Sequence, residues 1–550
     1  MNTSTPVAAK VVNNLLCDAL EPEYASQLAD SGVSVVETRV VWWELEPEPG
    51  MFDWSSLDEN IEKVEKAGLE VGIFPWFMHP PKWESELVRA VCLEHGIAST
   101  IPSLWDERFL AVYDRLYGAL AERYGQRIKY LYFSIYGDFG EPQYPHDTKH
   151  YLFSSPDAHI GYWCGDHLAR ADFARYLKDK YGKIDHLNNA WGTAAKDWDE
   201  DLMPCLPISA NSLRRRMDFR DWYVGSLMSF TDKVCRLIRR HFPTVYAGAP
   251  VGTLHEGLAA GQIKSEAVRI MSSYADLVRW TGLINEPDYG IMNLTAQRVA
   301  SAVRFYSKAK FGTEAALELN DKVVDHVLYA NISCGSHVLH NDLTNIQRGW
   351  DKYLSWRDKL EELPVTCNTV LYYPVEGEQL ECMTVEQAHG NAKAVGIVAN
   401  EAESVLENAM TRDLYSGASE LRKLCNYEIA DSLMIKRGYL DTMQHLFVVT
   451  ECPIPEDTAK LIRDWVNRGG KLWYNAKSVP WILETGERWD IFAPGIGEGV
   501  TQWPDIEPYT AIRKKHGANG ETVYSALHGA KYSVYVPEQA KIEIFDRDDI

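Results

Sequence analysis

Short β-branched runs alternate with helical patterns through the first two thirds of this chain, and that alternation constrains its fold more than any other feature. Residues 11–16 read as a strand and 22–30 as a helix. Residues 33–41 are a strand rich in β-branched side chains, 57–67 a helix, and 69–74 another strand. The clearest helix is 106–124, where Phe109, Val112, Tyr113, Leu116, Leu120 and Tyr124 keep the spacing of one buried stripe. Residues 128–136, 245–251, 276–281, 310–317 and 329–339 are further strands. Strands separated by helices call for a parallel sheet with the helices laid on its face. Repeated over about 350 residues, the pattern completes the eight β/α units of a TIM barrel. Segment 142–220 is expected as an insertion after strand four.

The charged stretch 359–364 is expected to link domains, because the pattern then starts again. Residues 369–373 read as a strand, 384–406 as mostly helical, and 445–450 as a strand. Residues 456–468 form an amphipathic helix, and a strand at 471–474 follows Gly469 and Gly470. The division is therefore a barrel over 1–362, an α/β unit with an open parallel sheet over 363–500, and a small β appendage over 501–550. Short alternating segments at 522–527 and 531–536 supply that appendage.

Charge narrows the partners. Lys plus Arg is 56 against 78 Asp plus Glu, a formal net charge of −22. Nucleic acid needs a positive footprint and is excluded as the main partner. An anionic membrane surface is disfavoured for the same reason. There is no apolar run of about 18 residues, so no span of a bilayer is expected. The first twenty residues lack a basic stretch leading into an apolar one, which points to a cytoplasmic protein, or to a periplasmic one whose leader has been removed. The ten cysteines are scattered without a CxxC pair, so reduced thiols and no zinc site are expected. The 18 Trp and 29 Tyr suit sugar clefts and protein cores equally.

Chemistry in such a barrel sits at the carboxyl ends of its strands. Glu141 stands there after strand four, in YFSIYGDFGEPQYP (132–145), among Tyr136, Phe139 and Tyr144. Aromatic surroundings desolvate a carboxyl and raise its pKa, as a general acid requires. Glu314, in FGTEAALE (311–318), is on strand seven. Glu318 shares its face about four residues on; only one of the two can face the site, and Glu314 is favoured. Two carboxyl groups across one glycosidic bond are what glycoside hydrolysis needs.

Three stretches resemble glycoside hydrolase clan A, nearest the family 42 β-galactosidases. RVVWWELEPEPGMFDW (39–54) is similar to the strand-two signature, and FARYLKDKYGKIDHLNNAWGT (173–193) to the family's F-x-x-W-L-x-x-K-Y-G-x-x-x-x-L-N-x-A-W-G-T. Residues 428–435 through 464–472 resemble the family's second domain, which is amidotransferase-like and helps subunits pack. The resemblance implies that Glu141 is the acid/base and Glu314 the nucleophile. It implies that Arg39 holds the nucleophile ionised, and that Trp76, His79 and Trp83 form the loop facing the sugar. No cofactor is implied, and a homo-oligomer, by family a trimer, is expected to act on an oligosaccharide.

The departures carry their own expectations. Gly140 stands where the family has an Asn that contacts the sugar 2-hydroxyl, so recognition there differs. Gly140 and Glu141, followed by Tyr144-Pro145, look like the G-E-x-R-Y-P motif of β-amylases, which invert. The family's zinc-binding cysteines are reduced to Cys164. Cys452 has no flanking glycines, so amidotransferase chemistry is not expected. Asn285-Glu286-Pro287 spells the tripeptide around the acid of many clan members, but lies after strand six, where substrate contact is expected. Tyr136, Asp138 and Trp280 are further substrate-binding candidates, as is Trp42. Trp43, Trp163 and Trp350 serve as subsite platforms or as core. His79 and His340 are placed to bind sugar hydroxyls. The expectation is a retaining exo-β-glycosidase, most simply a β-galactosidase. The alternatives are an inverting or differently specific glycosidase (β-amylase-like, β-mannosidase, β-glucosidase, β-fucosidase) and a silent carbohydrate-binding protein.

Overall fold

The computed structural model describes residues 11–15, 21–30, 32–145, 161–206, 208–252, 258–282, 289–306, 309–315, 334–336, 339–341, 365–381, 414, 418, 421, 427–449, 452–475, 480–490, 500–503, 513–516, 522–528, 531–536 and 541–546. The chain forms two compact units, one of residues 1–281 with 379–404 and one of 282–378 with 405–550.

The first unit is built on six parallel strands: β1 (Val11–Leu15), β2 (Val35–Val41), β3 (Glu70–Trp76), β6 (Ile128–Tyr132), β7 (Tyr246–Gly252) and β8 (Leu277–Gly282). Each pairs in parallel with the next in that order. Helices α1 (Pro22–Asp30), α3 (Ser55–Lys66), α4 (Glu107–Tyr124), α7 (Leu213–His241) and α8 (Lys264–Met271) connect them, and the fold is an α/β barrel. Burial on both faces makes β3 a near-continuous apolar run after Glu70, while β2 is almost as buried yet carries Glu37, Thr38 and Arg39 at its centre.

Helix α4 starts at Asp106, whose side chain accepts from the Arg108 amide. Its buried stripe is Phe109, Tyr113, Leu116, Tyr117, Leu120 and Tyr124, so Tyr117 takes the place expected for Val112. Each fully buried side chain of this size contributes roughly 1.5–3 kcal/mol of burial free energy. A four-residue helix α2 (Trp42–Leu45) follows β2, and between β3 and α4 stands an antiparallel hairpin, β4 (Arg89–Val91) with β5 (Ala98–Pro102); the apolar pattern announces neither.

After β6 the chain adds α5 (His167–Tyr181) and α6 (Ile184–Trp191), then α7. Helix α7 runs unbroken through residue 220, the expected end of the insertion. It is fixed there by Asp218, fully buried, which accepts from the Trp191 indole N–H at 2.8 Å and pairs with Lys180 at 2.8 Å and Arg214 at 3.1 Å.

The second unit begins with α9 (Tyr289–Tyr306) and the parallel pair β9 (Lys310–Ala315) with β10 (Leu339–Asn341). Residues 334–336, expected inside a strand, are a turn and its exit, so β10 starts only at Leu339. A five-stranded parallel sheet follows, in the order β13 (Glu428–Ala430), β12 (Thr369–Tyr372), β14 (His445–Val448), β16 (Lys471–Asn475), β18 (Val500–Trp503). β15 (Pro453–Ile454) and β17 (Trp481–Ile482) form a two-stranded parallel pair. An antiparallel sheet runs β11 (Val365–Thr366), β19 (Arg513–His516), β20 (Thr522–His528), β21 (Lys531–Val536), β22 (Lys541–Asp546).

Helix α9 is tied to β13 by one buried carboxylate. Glu428 Oε2 accepts from Gln297 Nε2 at 3.0 Å, from Ser301 Oγ at 2.5 Å and from Arg304 Nη2 at 2.6 Å. The expected helix at 384–406 lies outside the described residues. Among the described residues, no helix is long and apolar enough to cross a membrane.

Candidate active site

Alternation along the strands decides which side chains meet at the carboxyl end of the first unit's sheet. Arg39 on β2 is in register with Phe74 on β3. Its guanidinium lies over the Trp76 ring, 5.1 Å from the centroid. Phe74 meets the Tyr132 ring edge-on at 4.7 Å and Trp76 at 5.7 Å. Arg279 on β8 is buried and lies 4.0 Å over Tyr132. Glu37, two residues before Arg39 on β2, is fully buried. Burial first, then the charge of Glu37, pushes the Tyr130 hydroxyl well above the usual tyrosine range. Two charges two residues apart in an otherwise apolar strand were the signal for Glu37, since a period of two puts both on one face.

Glu141 lies in the loop after β6, at 4% exposure. The loop closes on itself: the Gly140 amide donates to the Tyr136 carbonyl at 3.1 Å, and the Ile135 amide to the Gly140 carbonyl at 2.7 Å. The Gln143 amide donates to the Glu141 carbonyl at 2.8 Å. Two glycines make this turn feasible. Gly137 has φ +66°, and a Cβ on it would sit 2.8 Å from Gln143 Cγ. Gly140 has φ +93°, and a Cβ there would sit 2.8 Å from Ser134 Oγ and 3.1 Å from the Phe74 ring. No other residue type fits at 140 in this backbone. Gln262 Nε2 holds the Pro142 carbonyl at 3.2 Å, and the Tyr144 amide donates to the Ala260 carbonyl at 3.1 Å.

His79 is fully buried and donates from Nε2 to the Asp138 carbonyl at 2.9 Å. Its ring packs against Trp43 at 5.6 Å and Trp76 at 5.8 Å, while Phe139 meets Trp76 edge-on at 5.6 Å. Arg39, Trp76, His79, Asp138 and the Glu141 loop are thus brought together.

Other candidates are placed elsewhere. Tyr136 is fully buried, and its hydroxyl donates to the Pro102 carbonyl at 2.7 Å, with Phe109, Tyr144 and Phe230 around the ring. Burial, then the charge of Asp166, holds that hydroxyl well above its usual range. Trp42 is buried with its indole N–H on Glu46 at 2.8 Å. Trp280 is 4% exposed and alternates to the face of β8 opposite Arg279. Trp163 is fully buried.

In the second unit, Glu314 on β9 is half-buried and stands in register with His340 on β10. Beside it, Thr313 Oγ1 meets Ser336 Oγ at 3.0 Å. Asn285, Glu286 and Trp350 lie outside the described residues. Near Cys164, Cys92 donates to Glu94 at 3.1 Å, and its thiol is pushed up to about 12 by burial and then by that carboxylate. Among the described residues, no set of three or more His, Cys, Asp or Glu is arranged to hold a metal ion.

A family model described as β-galactosidase, glycoside hydrolase family 42, matches residues 19–285. A β-galactosidase of a Thermus species is 25% identical over 240 residues, 40% of this chain and 34% of its own. The chain therefore spans about a third of the length of the curated relatives it matches. A β-amylase of Cytobacillus firmus is 26% identical over 259 residues, 42% of this chain and 54% of its own. The solved β-galactosidase of the psychrophilic Marinomonas ef1 superposes with a TM-score of 0.61 at 16% identity, over 88% of this chain and 78% of that one. Residues 19–285, which include the whole loop around Glu141, are similar in sequence to glycoside hydrolase family 42, and the chain shares the fold of a solved β-galactosidase.

Proposed function

We propose that the chain is a glycoside hydrolase, a retaining exo-β-glycosidase that removes β-galactosyl groups from the non-reducing end of oligosaccharides. The observation that carries this reading is the setting of Glu141. Glu141 is buried in the loop whose Phe139 packs edge-on against Trp76, at the carboxyl end of the fourth barrel strand and within the stretch similar to β-galactosidases.

In this reading Glu314 on β9 is the nucleophile and Glu141 the acid/base. The Glu314 carboxylate attacks the anomeric carbon. The glycosidic C–O bond breaks, and the departing oxygen takes the Glu141 proton. Glu141, now a carboxylate, removes a proton from water as the water oxygen attacks the same carbon. The bond to Glu314 breaks, and its electron pair returns to the carboxylate. By the family likeness Arg39 is the partner of the nucleophile, and Trp76 packs beneath its guanidinium.

The domains of the reading are a (β/α)8 barrel over 1–362, an amidotransferase-like unit over 363–500 that joins subunits, and a β appendage over 501–550. Homo-oligomerisation as a trimer, which rests on the family likeness, and a cytoplasmic location, which rests on the scattered cysteines, complete the proposal.

Glu314→Ala should abolish turnover of an aryl β-galactoside, and azide should restore it with the α-galactosyl azide as product. Near-normal turnover without azide would sink the assignment. A second reading is an inverting glycosidase, favoured by the β-amylase relative and by Gly140-Glu141. NMR of the first-formed anomer separates the two: β-galactose means retention, α-galactose inversion.

A further inference from the structure

We infer that His79 is a positioning residue for the acid/base loop rather than a sugar ligand. This rests on the reading of Glu141 as acid/base. The carbonyl of Asp138 can only accept, so His79 Nε2 carries the hydrogen in their 2.9 Å bond. Asp138 is at the tip of the turn whose base is closed by the bonds between Ile135, Tyr136 and Gly140. Those bonds fix the turn's own shape. The His79 bond joins its tip to the loop after β3, a separate element. The imidazole is fully buried, and Trp43 and Trp76 hold its ring. A ring so enclosed, with Nε2 committed to a backbone oxygen, sets where Asp138 sits, and the chain reaches Glu141 three residues later.

The consequence is selective. A displaced acid slows reactions in which the leaving oxygen must be protonated, and spares those in which it need not be. A displaced sugar contact slows every substrate with that sugar alike. The test compares kcat/KM, which reports the first displacement, on lactose and on 2,4-dinitrophenyl β-galactoside. His79→Met should lose about 100-fold on lactose, as a misplacement near 1 Å costs. It should lose no more than about threefold on the dinitrophenyl substrate, whose leaving group needs no proton.

His79→Gln puts an amide N–H where Nε2 was, and should restore the parental ratio between the substrates. His79→Asn falls short of the carbonyl and should keep the split. If His79→Met does not fold, the Gln and Asn variants decide the matter alone. Equal losses on both substrates, or a ratio not recovered by Gln, overturn the positioning role. Glu141→Ala serves as the reference: without the same split in that variant, the acid/base reading itself fails. Absence of turnover of either galactoside by the parent overturns the reading and the inference together.

Discussion

Gly140→Ala tests the geometry of the Glu141 loop most directly. At φ +93° an L-residue costs of order 1–3 kcal/mol. The added methyl would lie 2.8 Å from Ser134 Oγ and 3.1 and 3.3 Å from the Phe74 ring, inside a packed site, which costs about 1–3 kcal/mol more. The sum is roughly 2–6 kcal/mol. It shows as lost stability if the backbone holds, or as lost turnover if the loop moves and takes Glu141 with it. Urea unfolding and kcat/KM on an aryl galactoside, measured on the same preparation, divide the two. Ser134 is buried and its hydroxyl makes only a long contact to Met78 Sδ at 3.6 Å, so Ser134→Ala is a mild change by itself. Combined with Gly140→Ala, it removes the nearer obstacle and should recover about 1–2 kcal/mol, leaving the φ cost and the Phe74 contact. Gly225, mid-helix in α7 with nothing within 4 Å of a Cβ, is the control; Gly225→Ala should stabilise by up to about 1 kcal/mol. Parental stability and turnover in Gly140→Ala would refute the loop geometry. Strict additivity in the double variant would clear Ser134 as the obstacle.

Two further predictions concern buried carboxylates in the first unit. Burial pushes the Glu46 carboxyl up, but hydrogen bonds from Arg115, Trp42 and the Gly50 amide outweigh it and hold the pKa below the usual range. Arg115→Met should cost about 1–3 kcal/mol in urea unfolding near neutral pH, toward the low end because Arg115 is 42% exposed. A depressed folded pKa gives stability above the unfolded pKa and loses it as pH falls through the folded one. The gap between parent and variant should therefore close as pH falls below about 4; a gap constant down to acid would refute it. Asp218→Leu should cost about 2–4 kcal/mol by urea unfolding, since it removes the buried acceptor shared by Lys180, Arg214 and the Trp191 N–H; an unchanged midpoint would show that the network contributes nothing.

Periodicity made most of the strands and α4 legible, because burial on both faces of a parallel sheet and on one stripe of a helix leaves a direct trace in residue order. Helix α1 and strand β7 show this well. The hairpin β4–β5 was invisible, since its three- and five-residue strands carry polar residues and no alternation. Tyr136 shows the limit at the site: next to the acid in sequence, its hydroxyl is turned to Pro102 by a turn that depends on Gly137 and Gly140. His79 was visible as a histidine after a strand, but its carbonyl partner lies 59 residues away, beyond any local pattern. Arg279 was equally hidden, because nothing in its own strand reveals the Tyr132 ring beneath it.

The Glu428 anchor bears on how such a chain can be recombined in evolution. One carboxylate gathers Gln297, Ser301 and Arg304 from a helix more than a hundred residues upstream. A swap that replaced β13 without that helix would leave an arginine, an amide and a hydroxyl to find new acceptors in a buried seam. Helix and strand are therefore inherited as a pair, and the unit of modular exchange is set by this seam rather than by the linker sequence.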